Sequence, residues 1–305
     1  MDRLLSGLFR LAGRTPPPVV DSFCRVVGGL WFRLDRRHRN IALGNLRIAF
    51  GNDHSEAEYR CQAESAFQNL LHIPFETGYV AHASQKGMRP RFRFFGKDHF
   101  DQAALQGRGV LALTAHVGNW EILTAAAELA GIPLHVLYRP LDFRPLDLVL
   151  NRMRSRYGAV MIPAHRAMRR ILTALSAQGV VAILMDQNVD WYEGVYVDFF
   201  HQTACTNKGM AILALRTRAP VVPVFLVREN GMFRVEFFPA IPLISTGDNT
   251  HDIEANTRQY NQAIEAIIRR YPSQWFWVHQ RWKTRNFCKW NPVSQESGQQ
   301  PGRAA

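Results

Sequence analysis

From residue 91 to residue 271 the chain alternates short apolar runs with amphipathic stretches of helical length, and nothing else in the sequence constrains the fold as much. A strand covered on both faces reads as a continuous apolar run, whereas a surface helix carries apolar residues every three or four positions. Strands are expected at 91–95, 109–114, 134–138, 159–162, 180–185, 221–227 and 233–238. Helices are expected at 98–106, from 120 to a stop at Gly131, and at 145–156, 167–178, 208–217 and 252–271. Strand–helix–strand units of this length build an α/β fold, with a mainly parallel central sheet flanked by helices. Asn230-Gly231 between the last two strands marks a hairpin, so one edge of the sheet is expected to be antiparallel. Residues 187–204 are expected to form a loop.

The first 90 residues have a different character. Leu4, Leu5, Leu8, Phe9 and Leu11 fall mostly on one helical side, with Arg3 and Arg10 among them, and Pro16 to Pro18 end that helix. Helical patterns continue over 19–37, 39–50 and 55–82. No stretch reaches the roughly 18 uninterrupted apolar residues of a bilayer span, and the N-terminus lacks the apolar core of a signal peptide. Arg33, Arg36, Arg37 and Arg39 crowd around Leu30, Trp31 and Phe32, which favours a basic amphipathic surface lying in a membrane interface over a bundle packed on the main domain. The expected organisation is a membrane-associating helical region at 1–90, an α/β domain at 91–290 and a disordered polar tail at 291–305. A formal charge of +12 on 305 residues points to an anionic partner: membrane lipid, nucleic acid, or an acidic protein or substrate. Cys24, Cys61, Cys205 and Cys288 have no paired spacing, so neither a disulfide framework nor a zinc site is indicated, and Cys205 reads as a small buried thiol.

Chemistry concentrates at the ends of the expected strands, the edge where open α/β folds bind ligands. Residues 109–131 read as strand, tight turn and helix, with Asn119 able to cap the helix. His116 lies on the turn and Glu121 in the first helical turn. Five residues are too many for two ligands on one helical face, but a Glu folded back onto a loop imidazole fixes its tautomer and leaves the other nitrogen free to take a proton. The competing reading is a loop His near a Glu that only favours the helix dipole. Three further polar groups follow apolar strands: Arg139 with the helix bearing Arg152, Arg154 and Arg156; Asp186-Gln187-Asn188; and Asp198, His201, Thr203 and Thr206. A metal held by His116, Glu121, Asp186 and His201 is conceivable, although nothing in the spacing demands one. There is no G-x-S-x-G elbow, no phosphate-binding glycine loop, no H-E-x-x-H and no nucleic-acid motif.

Taken together, these motifs resemble the bacterial lipid A biosynthesis acyltransferases of the lysophospholipid acyltransferase superfamily. The superfamily signature, His, four residues, then Asp or Glu, appears as HVGNWE over residues 116–121. It is joined in order by Tyr138-Arg139-Pro140, Arg152-Met153-Arg154, Asp186-Gln187-Asn188, GVYVDFF at 194–200 and FWVHQRWK at 276–283, with ALGNL at 42–46 upstream. Many members carry Gly after the VDFF run and Pro two residues on; here they are His201 and Thr203, which leaves the shape of the acceptor pocket open. The resemblance implies a glycerolipid-acyltransferase-like fold and transfer of a fatty acyl chain from an acyl carrier protein or coenzyme A thioester to a hydroxyl of a lipid acceptor. The setting it implies is the cytoplasmic face of a bacterial inner membrane. It requires no cofactor and no nucleic acid. It implies His116 as general base, Glu121 as its orienting carboxylate and Arg154 as a donor to the developing oxyanion, with Asn119, Arg139, Arg152, Arg156, Asp186, Gln187, Asp198 and Lys208 as substrate-binding residues. The aromatic and basic end at 275–283 reads either as an interfacial element or as a packed C-terminal one. Other functions remain open: acyl transfer to another amphiphile such as a lysophospholipid or another glycolipid, thioester or ester hydrolysis, and non-catalytic lipid or nucleic-acid binding.

Overall fold

The computed structural model describes residues 1–284; the tail expected at 291–305 lies outside the described residues. Among the described residues nine strands form: β1 (Phe92–Phe95), β2 (Val110–Thr114), β3 (Leu134–Tyr138), β4 (Val160–Pro163), β5 (Val180–Leu184), β6 (Gly194–Phe199), β7 (Gln202–Asn207), β8 (Val221–Glu229) and β9 (Met232–Phe237). Seven of them make one sheet in the order β1-β9-β8-β2-β5-β3-β4. All its pairings are parallel except β8 with β9, which are joined through Asn230 and Gly231, both at positive φ. Both central dihedrals of a two-residue hairpin turn of this kind are left-handed, which Asn-Gly tolerates best.

The helices are α1 (Asp2–Arg14), α2 (Pro17–Leu34), α3 (Arg36–Phe50), α4 (Glu56–His82), α5 (Gln85–Met88), α6 (Lys97–Ala104), α7 (Leu123–Ala130), α8 (Arg144–Ser155), α9 (Met168–Ser176), α10 (Gly209–Thr217) and α11 (Asn249–Arg270). Side chains alternate across a strand, so β2 divides its residues between two cores. Leu111 and Leu113 join Val181 and Ile183 of β5 in a core shared with α3, α4, α9, α10 and α11. Val110 and Ala112 face the opposite way, into a core built with Phe100 of α6 and Ala125, Ala126 and Ala127 of α7. Because both faces are covered, β2 is apolar at nearly every position, as the sequence pattern required. Residues of α2, α3 and α4, among them Phe32, Leu46 and Phe67, belong to the first of these cores.

Two expectations change, and one open alternative is decided. Residues 187–204 are not a loop throughout: β6 and β7 form an antiparallel hairpin, with Phe200 and His201 at its turn at φ 51° and 61°. Trp31 and Phe32 do not face outward. Phe32 is buried, and Trp31 stacks edge-on against Phe67 and donates to Asp35. The end at 275–283 is packed rather than interfacial, since Trp275, Trp277 and Arg281 are fully buried.

What α1 and α2 do expose is an apolar stripe each: Leu4, Leu8 and Leu11 on α1, and Val19, Phe23, Val26, Leu30 and Leu34 on α2. The spacings of three and four residues place these side chains on one face of each helix. Both helices pack on α4. At the α1–α4 crossing Gly13 meets Gly78 so closely that a Cβ on Gly78 would lie 2.1 Å from the Phe9 carbonyl oxygen. Among the described residues, no helix is long and apolar enough to cross a membrane.

Candidate active site

β2 and β5 are neighbours in register, Thr114 opposite Leu184. Two residues beyond each partner, at the carboxyl edge, lie His116 and Asp186. The backbone N–H of His116 donates to Asp186 Oδ2 at 2.9 Å, and its ring Nδ1 is 2.8 Å from Asp186 Oδ1. The indole of Trp275 also donates to Oδ2, at 2.8 Å. Burial alone would raise the Asp186 pKa, but the His116 charge and these three hydrogen bonds outweigh it and hold the carboxyl below its ordinary value. An acceptor-only carboxylate at Nδ1 keeps the proton there, so the Nε2 lone pair faces outward. Gln187 Nε2 lies 3.3 Å from it, and Trp120, edge-on, and Phe276, tilted, wall the ring.

The turn between His116 and α7 has little freedom. Phe276 N donates to the His116 carbonyl at 3.1 Å, Val117 bridges to Trp275, and Gly118 N donates to the Gln274 carbonyl. Gly118 has φ 61°, and a Cβ there would lie 2.1 Å from the backbone oxygen of Leu226. Only glycine fits such an approach. Asn119 then caps a short 3-10 turn, Trp120–Ile122, by accepting from Glu121 N.

Glu121 is not the partner of the imidazole. Its carboxylate is held by Arg154, with Nε on Oε2 and Nη2 on Oε1, both at 2.7 Å, and Trp120 Nε1 adds a bond at 3.2 Å. Burial opposes the guanidinium charge, but Glu121 more than offsets it and raises the Arg154 pKa. The carboxylate on His116 is therefore Asp186, where the sequence alone points to Glu121. Asp186 likewise departs from the substrate-binding role, since it is 1 % exposed and its oxygens are taken by the protein. Asn119 is also 1 % exposed and acts as a brace. Its Nδ2 donates to Glu76 Oε2 at 3.0 Å and reaches Ile73 O and Thr77 Oγ1 on α4. Glu76 is ion-paired to Arg228, which bonds Asn69 and exchanges backbone–side-chain hydrogen bonds with Gln274.

The remaining expected residues are spread around this centre. Gln187 meets His116 Nε2. Arg139 is exposed, and Arg152 is exposed with its guanidinium 3.1 Å from Asp2 of α1. Arg156 closes α8 beside Arg10 and Arg14. Asp198 points outward from the β6–β7 hairpin, and Lys208 is half-buried at the start of α10. Among the described residues, no hydrogen bond or ion pair joins the side chains of Arg139, Arg156, Asp198 or Lys208 to the His116 turn. Nor do any three His, Cys, Asp or Glu side chains gather in a way that could hold a metal.

The closing aromatic segment matters more to the site than its motif suggests. Besides Trp275 and Phe276, His279 Nε2 accepts from Asn188 N at 2.9 Å, and burial pushes its pKa down to about 4, so the ring is neutral. Asn45 pins the same segment by donating to the carbonyls of Trp277 and His279, each at 2.7 Å. Phe199 of the hairpin packs on Trp275 and under the Arg281 guanidinium. Cys205 is buried, its pKa raised by that burial, as expected of a packing thiol.

Compared with known proteins, residues 2–284 match the sequence profile of the family described as bacterial lipid A biosynthesis acyltransferase. A lipid A biosynthesis acyltransferase of Haemophilus influenzae is 26 % identical over 263 residues, 84 % of this chain and 80 % of the relative. The lipid A biosynthesis palmitoleoyltransferase of Escherichia coli is 26 % identical over 296 residues, 95 % of this chain and 92 % of the relative. The lauroyltransferase of the same organism is 26 % identical over 282 residues, 92 % and 90 % of the two chains.

Proposed function

This chain belongs to the bacterial lipid A biosynthesis acyltransferase family and is an acyltransferase; from that premise we propose that it moves a fatty acyl chain from an acyl carrier protein or coenzyme A thioester to a hydroxyl of a lipid A precursor, with His116 as general base. The observation that carries this mechanism is the hydrogen bond between Asp186 and Nδ1, which leaves Nε2 as the basic nitrogen. The acceptor hydroxyl gives its proton to Nε2 while its oxygen forms a bond to the thioester carbonyl carbon. As the tetrahedral intermediate collapses, the C–S bond breaks and the leaving thiolate takes the proton back from the imidazolium. A positioned base of this kind contributes about 10²- to 10⁴-fold.

Asp186 is the positioning carboxylate in this scheme, and Glu121 positions Arg154. Because Nε and Nη2 of Arg154 are taken by Glu121, donation from Arg154 to the developing oxyanion falls to Nη1. A Glu121–Arg154 pair nearly neutral overall, next to the imidazole, adds no strong field against the imidazolium that forms. Gln187 sits where the acceptor hydroxyl approaches Nε2 and directs it.

The same reading places the enzyme on the cytoplasmic face of an inner membrane. The exposed stripe of α1 and α2 supplies apolar side chains for the acyl boundary, and Arg3, Arg33, Arg36 and Arg37 around it suit anionic headgroups, on the order of 1 kcal/mol per charge. The test is transfer from a radiolabelled acyl thioester to total membrane lipid. Loss of transfer in His116→Ala and Glu121→Ala variants that melt like the parent is the expected result. Transfer by both at the parental rate would mean that the chemistry lies elsewhere.

A further inference from the structure

Three arginines around the site have carboxylates: Arg152 has Asp2, Arg154 has Glu121 and Arg228 has Glu76. Arg10, Arg14 and Arg156 do not. Among the described residues none of the three makes an ion pair, yet all line one pocket of roughly 370 Å³ with His82, Tyr79 and the Gly13 backbone. Like charges repel, so three guanidiniums around one space without an acid are an arrangement that an anion completes.

The pocket is preformed. Gly13 meets Gly78 backbone to backbone, which fixes how α1 lies on α4, and Arg10 and Arg14 flank that contact at one-turn spacing. At about 100° per residue, the two arginines occupy the flank of α1 between the Gly13 side packed on α4 and its exposed Leu4, Leu8 and Leu11. The third cation comes from α8. Arg156 follows Arg154 by two residues, an axial rise of about 3 Å, so the helix that holds Glu121 also closes the pocket.

We propose that the Arg10–Arg14–Arg156 pocket binds a phosphate monoester carried by the lipid acceptor. A monoester dianion offers charge and oxygens for several guanidiniums, whereas a phosphodiester carries a single negative charge. The volume leaves room beyond the phosphate for part of the group that bears it. The adjoining leucines favour a lipid-borne phosphate over a free one, and the shared helix α8 couples its seating to Arg154. For the identity of the lipid the proposal rests on the acyl-transfer reading; the binding site itself does not depend on it.

The experiment uses the full chain in neutral detergent micelles, which removes the charge of a bilayer. Affinity is measured by titration with phosphatidic acid (a monoester), phosphatidylglycerol (a diester) and inorganic phosphate, for the parent, the Arg10→Gln/Arg14→Gln double variant and the exposed control Arg170→Gln. The parent is expected to prefer phosphatidic acid to the other two. The double variant should lose roughly 10- to 100-fold in affinity for phosphatidic acid, and the control nothing, with unchanged melting for both. Equal binding of the two lipids, tight binding of inorganic phosphate alone, or undiminished binding by the double variant each overturns the proposal. In acyl transfer, the double variant should raise KM for a phosphorylated acceptor by a similar factor, with kcat, donor KM and KM for the dephosphorylated acceptor unchanged. Parental failure to acylate any acceptor, with phosphatidic acid binding intact, would remove the acyl-transfer reading and leave the pocket standing. A double variant with parental KM would remove the pocket's role and leave acyl transfer standing.

Discussion

Replacing Asp186 by Asn separates the two carboxylates near His116 most sharply. The change is isosteric and fully buried, and its geometry decides how the amide sits. One oxygen of Asp186 accepts two N–H donors, from His116 N and Trp275 Nε1, at 2.9 and 2.8 Å. An NH₂ group cannot face two donors, so the amide oxygen takes that place and the NH₂ faces Nδ1 at the 2.8 Å contact. Nδ1 must then accept, which moves the ring proton to Nε2, and a protonated Nε2 cannot take the acceptor's proton. The expected loss is the whole general-base contribution, about 10²- to 10⁴-fold in kcat; the same carboxylate-to-amide change in serine-protease triads costs roughly 10⁴. KM for both substrates should hold, because Asp186 touches neither. Three charge-assisted bonds become weaker neutral ones at a stability cost of about 1–3 kcal/mol, visible as a lower melting temperature in a folded protein. The assay is steady-state transfer from a labelled acyl thioester to a purified lipid acceptor, with melting recorded in parallel. A kcat within about threefold of the parent would refute the reasoning.

Other predictions follow from neighbouring contacts. Gly118→Ala should destabilise by at least about 3 kcal/mol and abolish transfer, because its Cβ would meet the Leu226 carbonyl at 2.1 Å on a left-handed backbone; denaturant melts measure the first and the transfer assay the second. Glu76→Ala should cost about 3–5 kcal/mol in urea melts despite its distance from the chemistry, since Arg228 would lose its carboxylate and Asn119 an acceptor. His279 titrates at about 4 in the folded chain and at its ordinary value near 6.5 when unfolded. Its neutral form stabilises fully above pH 6.5, and as pH falls from there toward 4 the unfolded chain takes up the proton first, so stability drops by up to about 3 kcal/mol. Urea melts at pH 7 and pH 5 should show about 2 kcal/mol of that drop, and His279→Gln should remove most of it.

The strands of the main sheet were legible because both faces are covered, and the Asn230-Gly231 hairpin because its turn has the residues a left-handed backbone prefers. The second hairpin was hidden for the opposite reason. Its turn is Phe200-His201, with neither glycine nor asparagine, so no turn signal separates β6 from β7. Leu30, Trp31 and Phe32 are consecutive and do not share the outward face of α2. On a helix, consecutive residues diverge by about 100°, so only Leu30 stays outside. His116, Glu121 and Arg154 could be picked out from motifs, but their pairing could not. Which carboxylate meets the imidazole depends on β5 lying beside β2 in register, a fact of strand order that no local pattern contains.

That strand order also divides the labour in the molecule. His116 is held through its backbone N–H, carbonyl, ring nitrogen and ring edge by segments around residues 186, 276 and 120, and the turn after it is braced by α4. Every one of those contacts is internal, so substitutions among them should act on kcat or stability and leave substrate affinity alone. The cationic flank of α1 is the reverse: Arg10 and Arg14 are exposed, contribute nothing to either core, and stand next to the apolar stripe. Substitutions there should act on KM alone. Arg154 is where the two sets meet, because its guanidinium binds Glu121 while its helix carries Arg156 to the pocket. An Arg154→Lys variant keeps the charge but loses the bidentate fork, and should therefore lower kcat and raise the acceptor KM together, a combination that neither set alone predicts.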